Sequence, residues 1–179
     1  TPVVDKADLA LITFLDGSEK PAQLTQSGAK VVSIYQEGMA ITKLGERYGF
    51  INRQGNEVVS PRFEDARFFE NNYAAVKQAG AWTFINKQGK KLTTARYDWV
   101  GNFCANGTAP VKLDGKWGFI NEQGIEITPI KYEQIRQFSA DGRALVKANG
   151  KWLYVDIYGT ETPVLDSAQA ELEAKAAHL

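Results

Sequence analysis

Few side chains in this sequence are spaced for chemistry. A Ser, His and acid hydrolase needs its base held in a framework. The one histidine is His178, at the far end of an expected terminal helix. Glu64, Asp98 and Glu133 recur at nearly constant spacing, and two carboxylates are enough for glycoside hydrolysis. Acids that recur with a structural unit are explained more simply by folding, so no catalytic residue is assigned. With one histidine and one cysteine no His/Cys metal set can form, and no Asp-rich loop has calcium spacing. The glycines fall in expected hairpin turns rather than ahead of a helix, so there is no phosphate cradle. Neither a metal nor a cofactor is expected. Cys104, beside Phe103, reads as a small buried apolar residue.

Binding is better served by residues that break the periodicity. Trp99 stands where the neighbouring units have Asp65 and Gln134, so the repeat pattern does not require it. Tryptophan dominates interface energetics, which makes Trp99 a candidate partner anchor; packing under Tyr97 is the alternative. Arg67 and Arg136, at the position that Gly101 occupies in the third linker, are further candidates.

Bulk composition narrows the classes of partner. The chain has 179 residues, with 21 Lys plus Arg balanced by 21 Asp plus Glu. A neutral chain lacks the field that strongly basic nucleic-acid and membrane-surface binders use, so neither partner is expected. No apolar run approaches the roughly 18 residues of a membrane span. The sequence begins at Thr1 without a methionine, which leads to the expectation of a periplasmic or secreted protein, with the cytoplasm as alternative. A monomer is expected.

The elements that hold these residues are repeats with a period of about 35 residues. Each opens with an Ala-x-Val-Lys pattern, at Ala40 to Lys43, Ala74 to Lys77, Ala109 to Lys112 and Ala144 to Lys147. A two-residue turn follows: Gly45-Glu46, Ala79-Gly80, Asp114-Gly115 and Asn149-Gly150. Asp-Gly and Asn-Gly favour type I′ hairpins because both central residues need positive φ, while Gly-Glu suits type II′. That turn fixes the register. Lys43 then faces Tyr48, Lys77 Trp82, Lys112 Trp117 and Lys147 Trp152. Each cation and aromatic pair is worth roughly 0.5 to 1 kcal/mol.

The second strand ends at Asn52 to Gly55, Asn86 to Gly89, Asn121 to Gly124, and Asp156 to Gly159. Asn or Asp there can bond the backbone ahead, and the glycine takes the left-handed conformation. A third strand is expected near Glu57 to Ser60, Lys91 to Thr94, Glu126 to Thr128 and Glu161-Thr162. Linkers follow, as Arg62-Phe63-Glu64, Arg96-Tyr97-Asp98 and Lys131-Tyr132-Glu133. Both faces of the central hairpin are apolar, so neighbouring units must cover them, and Gly49 and Gly118 are expected to admit a neighbour closely.

The fold class is all-β: tandem three-stranded antiparallel meanders stacked as an open array or partial propeller, with a C-terminal α-helix. Residues 1–38 are a degenerate first repeat or N-terminal cap, with Ile12 to Asp16 laid on Tyr48 to Asn52. Residues 39–163 hold four repeats (39–72, 73–106, 107–141, 142–163). Residues 164–179 form an amphipathic helix capped by Asp166 and Gln169, burying Leu165, Ala168, Leu172, Ala176 and Leu179 and closing the end of the array. A partner-binding helix is the alternative.

Lys116-Trp117-Gly118-Phe119-Ile120-Asn121-Glu122-Gln123-Gly124, with Lys131-Tyr132-Glu133 and Phe138 after it, resembles the bacterial WG repeat. The resemblance covers about residues 40 to 163, and only one unit carries the Trp-Gly pair itself: Tyr48-Gly49, Trp82-Thr83 and Trp152-Leu153 depart from it. It implies a non-catalytic interaction scaffold, often secreted or envelope-associated, and supplies no catalytic residues. The expected function is protein–protein interaction, including neutralisation of a toxin in the manner of an immunity protein. The alternative is a carbohydrate or cell-wall binder, suggested by the four tryptophans and seven tyrosines.

Overall fold

The computed structural model describes residues 25–176 with their side chains and the backbone of residues 11–13 and 19–21. Phe14, Leu15, Asp16, His178 and Leu179 lie outside the described residues. The chain divides into two compact units, Thr1–Lys91 and Leu92–Leu179. This boundary falls inside the expected repeat 73–106, because Leu92 and Thr93 pack against the turn at Gly124.

The first unit contains β1 (Leu11–Thr13), β2 (Glu19–Pro21), β3 (Lys30–Val31), β4 (Met39–Leu44), β5 (Arg47–Asn52), β6 (Glu57–Phe63), β7 (Asp65–Ala66), β8 (Tyr73–Gln78) and β9 (Ala81–Asn86). They form three sheets, β1-β2, β3-β4-β5-β6 and β7-β8-β9. The second unit contains β10 (Trp99–Val100), β11 (Thr108–Leu113), β12 (Lys116–Asn121), β13 (Gln134–Ile135), β14 (Arg143–Ala148), β15 (Lys151–Asp156), β16 (Glu161–Pro163) and α1 (Ser167–Ala176). Its sheets are β10-β11-β12 and β13-β14-β15-β16. All pairings are antiparallel.

Turn chemistry sets each central hairpin. Ala79 and Gly80, Asp114 and Gly115, and Asn149 and Gly150 all have positive φ, and at the first turn Gly45 does so without Glu46. The type I′ and type II′ expectations follow from those signs. The register is the expected one, with Lys43 opposite Tyr48, Lys77 opposite Trp82, Lys112 opposite Trp117 and Lys147 opposite Trp152. At the far end of each hairpin one carboxamide or carboxylate oxygen accepts two backbone N–H bonds. Asn52 takes those of Gln54 and Asn56, Asn86 those of Gln88 and Lys90, Asn121 those of Gln123 and Ile125, and Asp156 those of Tyr158 and Thr160.

Two expectations about the sheets need correction. The segments read as linkers contain strands: β7, β10 and β13 pair with the first strand of the following hairpin, so each sheet starts one strand earlier. The expected third strand is continuous only in β6 and β16; elsewhere single bridges remain, Ile85 to Lys91, Ile120 to Glu126 and Trp117 to Tyr132. Surplus residues interrupt the ladder. On β5 and β6, Tyr48 pairs with Phe63 and Phe50 with Val59, so the outgoing strand bulges opposite Gly49.

That bulge also revises the role of the small residue. A Cβ on Gly49 would collide with the carbonyl oxygen of Val59 and meet Pro61 N at 2.9 Å; one on Gly118 would meet Ile130 Cγ1 at 3.1 Å. The close approach comes from the outgoing segment of the same repeat, not from a neighbouring one.

Apolar faces are shared between successive repeats within each unit. Phe50, Val59 and Phe63 pack with Phe69, Ala74, Val76 and Ile85 in the first unit. In the second, Phe119 packs with Tyr132, Ile135, Ala144, Val146 and Val155. Ahead of the first full hairpin, Val31, Ala40 and Ile51 form a smaller cluster with Tyr35. In the β1 and β2 pair, Thr13 faces Glu19 at the spacing by which Ile51 faces Glu57.

Helix α1 starts where Asp166 Oδ1 accepts from Ala168 N and Gln169 N, as a capping residue should. Its buried face is not the expected one. Ala170 and Ala174 are buried, whereas Leu165 and Leu172 are exposed. Small residues let the helix lie close to β14 and β15, where polar ties to Trp152 and Tyr154 orient it.

Candidate interaction surface

The hairpin register gives every repeat an aromatic ring faced by a lysine. Lys43 Nζ lies 5.2 Å from the Tyr48 ring centre, Lys112 5.0 Å from that of Trp117 and Lys147 5.5 Å from that of Trp152. A second cation arrives from the residue that follows the preceding short strand. The Arg67 guanidinium stacks at 4.5 Å over Trp82 in the first unit, and Arg136 at 5.1 Å over Trp152 in the second. Burial pulls the Arg67 guanidinium below its ordinary value, and the Asp65 carboxylate opposes that shift.

The third repeat solves the same problem differently. Gly101 replaces the arginine, and a Cβ there would meet Pro110 Cγ at 2.5 Å. Two residues earlier on the same face, Trp99 sits opposite Lys112 and meets Trp117 edge-on, with ring centres 5.4 Å apart and planes at 75°. Trp99 thus takes the arginine's place over the repeat tryptophan and remains 37% exposed. Edge-to-face pairs are worth about 0.5 to 1.5 kcal/mol beyond area burial. Trp99 packs edge-on against Trp117. Trp99 and Arg136 lie in successive sheets of the second unit, and Arg67 lies in the first.

The recurring acids face their hairpin turns. Glu64 accepts from Gly80 N at 3.2 Å, Asp98 from Asp114 N at 2.8 Å and Glu133 from Gly150 N at 3.4 Å. Each carboxylate serves a turn N–H that the sheet leaves unpaired. Cys104 is exposed, against expectation, because it opens the loop ahead of β11: its N–H donates to Thr108 O and its carbonyl accepts from Gly107 N. The buried position belongs to Phe103.

A hydroxyl–carboxylate link between repeats was not anticipated. The fully buried Tyr132 donates to Glu161 Oε1 at 2.6 Å, and Lys131 Nζ contacts the same oxygen at 2.6 Å. Tyr97 and Glu126 make the longer version, 3.4 Å, across the same separation of 29 residues. Burial first, then the neighbouring acid, pushes the Tyr97 phenol up to about 12 and raises that of Tyr132. Lys131 and the Tyr132 hydroxyl hold Glu161 below the usual carboxylate range, against a smaller opposing effect of burial. At the corresponding positions earlier in the chain stand Phe63 and Lys91, and hydroxyl and acid are lost together. Ahead of that, Thr25 donates to Glu57 at 2.9 Å and Ser27 does so at 2.6 Å. The paired exchange was the available sequence signal.

Tyr48, Trp82, Trp117 and Trp152 are the stacked rings, and Gly55, Gly89, Gly124 and Gly159 all have positive φ. Beyond conformation, a Cβ on Gly89 would meet Val59 Cγ2 at 2.8 Å, one on Gly124 Leu92 O at 2.8 Å, and one on Gly159 would collide with the carbonyl of Ile127, while Gly55 has open space. The turns at Gly89, Gly124 and Gly159 therefore rest on the strand or segment leaving the preceding repeat. No helix among the described residues is long and apolar enough to cross a membrane.

A family model described as "WG containing repeat" matches three tandem segments, residues 48–81, 82–117 and 117–152. No curated protein matches the sequence. Among solved structures the chain is similar to "KlHsv2 with loop 6CD replaced by a Gly-Ser linker", at 11% identity and a TM-score of 0.46, covering 80% of this chain and 53% of that one. A second, "Structure of Kluyveromyces lactis Hsv2p", matches at 9% identity and a TM-score of 0.45, covering 79% and 52%. The chain spans about half the length of these structures.

Proposed function

We propose, from the premise that this chain belongs to the WG containing repeat family, that it is a non-catalytic module that binds another protein. The observation that carries the proposal is Trp99. A large ring sits at the outward position of a two-residue strand in place of a stacked arginine, 37% exposed and backed by Trp117. A half-exposed tryptophan held rigid by a second ring is a ready interface anchor, since little side-chain freedom remains to be lost on binding. Arg136, in the next sheet of the same unit, is a second contact. Neutralisation of a toxin by covering its active surface is the form of binding we favour, with a periplasmic or secreted location. Carbohydrate stacking is less well supported, because the periodic rings are overlaid by Lys43, Arg67, Lys112, Arg136 and Lys147 rather than bared as a row.

The test is capture by the immobilised chain from envelope and cytosolic extracts of its host, run beside Trp99→Ala. One saturable protein, retained by the native chain and lost by a variant that still folds, supports the proposal and reports the compartment. Retention of cell-wall sugar without protein replaces it with the carbohydrate reading, and equal retention by both chains removes Trp99 from the site.

A further inference from the structure

Helix α1 lies where a further repeat would lie. In the second unit the β12 face bearing Phe119 and Trp117 packs against Ala144, Val146 and Val155 of the next hairpin. Tyr154 and Trp152 stand at the corresponding positions on β15, with Leu145 beside them, and there the covering residues are Ala170 and Ala174 of α1. The replacement is thin: two alanines stand in for a hairpin face. Val164, just ahead of the helix, adds one partly buried apolar contact, and the remaining ties are polar, with Trp152 Nε1 donating to Glu171 at 2.9 Å, Tyr154 OH to Glu173 at 2.9 Å and Arg136 Nε to the Ala174 carbonyl at 2.5 Å. Leu172, which could have added apolar contact, points outward and is 61% exposed.

We propose that α1 is a displaceable cap, and that the face beneath it docks the aliphatic face of a β-hairpin of this same repeat class from a partner chain. The occupant is specified by the fold itself. Within the unit, that kind of face meets an Ala-x-Val strand paired with a branched aliphatic residue. A docked α1 lowers the apparent affinity by the fraction of time the face is uncovered.

The experiment uses the full chain, Ala174→Glu to dislodge the helix, and Leu172→Glu as an outward-facing control. Hydrogen exchange over 167–176 and the Trp152 indole N–H resonance report docking. A backbone-cyclised hairpin with the sequence of residues 143–156 is the probe. Ala174→Glu is expected to free the helix while the strands stay protected, and to bind the probe about ten-fold or more tightly than the native chain. Adding Tyr154→Ala abolishes that gain, and Leu172→Glu behaves as native. A freed helix without probe binding overturns the docking surface. Equal binding by native chain and variant, with the helix still protected, overturns its role as a cap. If Ala174→Glu unfolds the sheets, the milder pair Glu171→Ala with Glu173→Ala decides: exchange in the helix rises while the strands hold, or the cap is an inseparable part of the core and the proposal fails.

Discussion

The Tyr132 hydroxyl donates to Glu161 Oε1 at 2.6 Å across a repeat boundary, and Lys131 closes on the same oxygen. Each partner shifts the other's titration in a direction that linkage turns into stability. Glu161 is held below its ordinary value of 4.5, so the unfolded chain binds the proton first as pH falls. This contribution is full above about pH 4.5 and is lost as pH drops through the folded value. Tyr132 is raised above its ordinary 10.0; its contribution is full below pH 10 and is lost as pH climbs through the folded value. Glu161→Gln should flatten the acid limb of a stability–pH profile and Tyr132→Phe the alkaline limb, the latter lowering stability at pH 7 by about 1 kcal/mol. Chemical denaturation across pH checks both, and unchanged limbs would show that the link is absent in solution.

Glycines of equal φ are predicted to differ in cost. Gly55 and Gly159 have φ of 82° and 83°, but only at Gly159 does a Cβ collide with backbone. Gly55→Ala should cost about 1 kcal/mol, the conformational penalty alone. Gly159→Ala should cost roughly 3 kcal/mol or more, because the Ile127 carbonyl must move. Thermal unfolding of the two variants separates strain from collision, and equal losses would mean that the turn does not seat on the preceding repeat.

Trp99, Gly101 and Pro110 should behave as one unit. Gly101→Arg alone drives its side chain into Pro110 and should cost about 3 kcal/mol. The triple change Trp99→Gln, Gly101→Arg and Pro110→Leu reproduces the Gln134, Arg136 and Leu145 arrangement of the next repeat. It should return to within about 1 kcal/mol of the native chain, a non-additivity expected of residues in contact. Additive losses would sink the equivalence between Trp99 and the arginines.

Gly115→Val tests the hairpin register. No atom lies within 4 Å of a Cβ there, yet φ is +77°, a region that β-branched residues essentially never occupy. A loss of about 2 kcal/mol should lower the melting temperature by several degrees. An unchanged melting temperature would mean that the turn is not type I′.

Local chemistry was the legible part of this sequence. Ala79-Gly80, Asp114-Gly115 and Asn149-Gly150 fix the turns, and once a two-residue turn is fixed every cross-strand pair follows, Lys112 opposite Trp117 included. What failed needed distance information. The short strand at Trp99 has only two residues, too few for a period to show, so it read as linker. The helix was turned the wrong way because Leu172 is more apolar than Ala170, while the decision lay with how closely Trp152 and Tyr154 let the helix approach. The arginines over Trp82 and Trp152 were visible as residues but not as stacks, since nothing local shows that residue 67 lies over residue 82.

The link from Tyr97 to Glu126 and from Tyr132 to Glu161 spans one repeat in each case and always runs forward. A segment such as 107–141 therefore carries a donor for its successor and an acceptor for its predecessor. Copying it once more in tandem would leave no hydroxyl or carboxylate without its counterpart. As far as this link is concerned, the number of repeats is not fixed by the interior. Other contacts are less interchangeable: a duplicated 107–141 would set Arg136 against a second Pro110, the approach that Gly101 accommodates, so gene duplication that lengthens the chain by this step calls for a compensating change at the new junction, such as leucine for that proline.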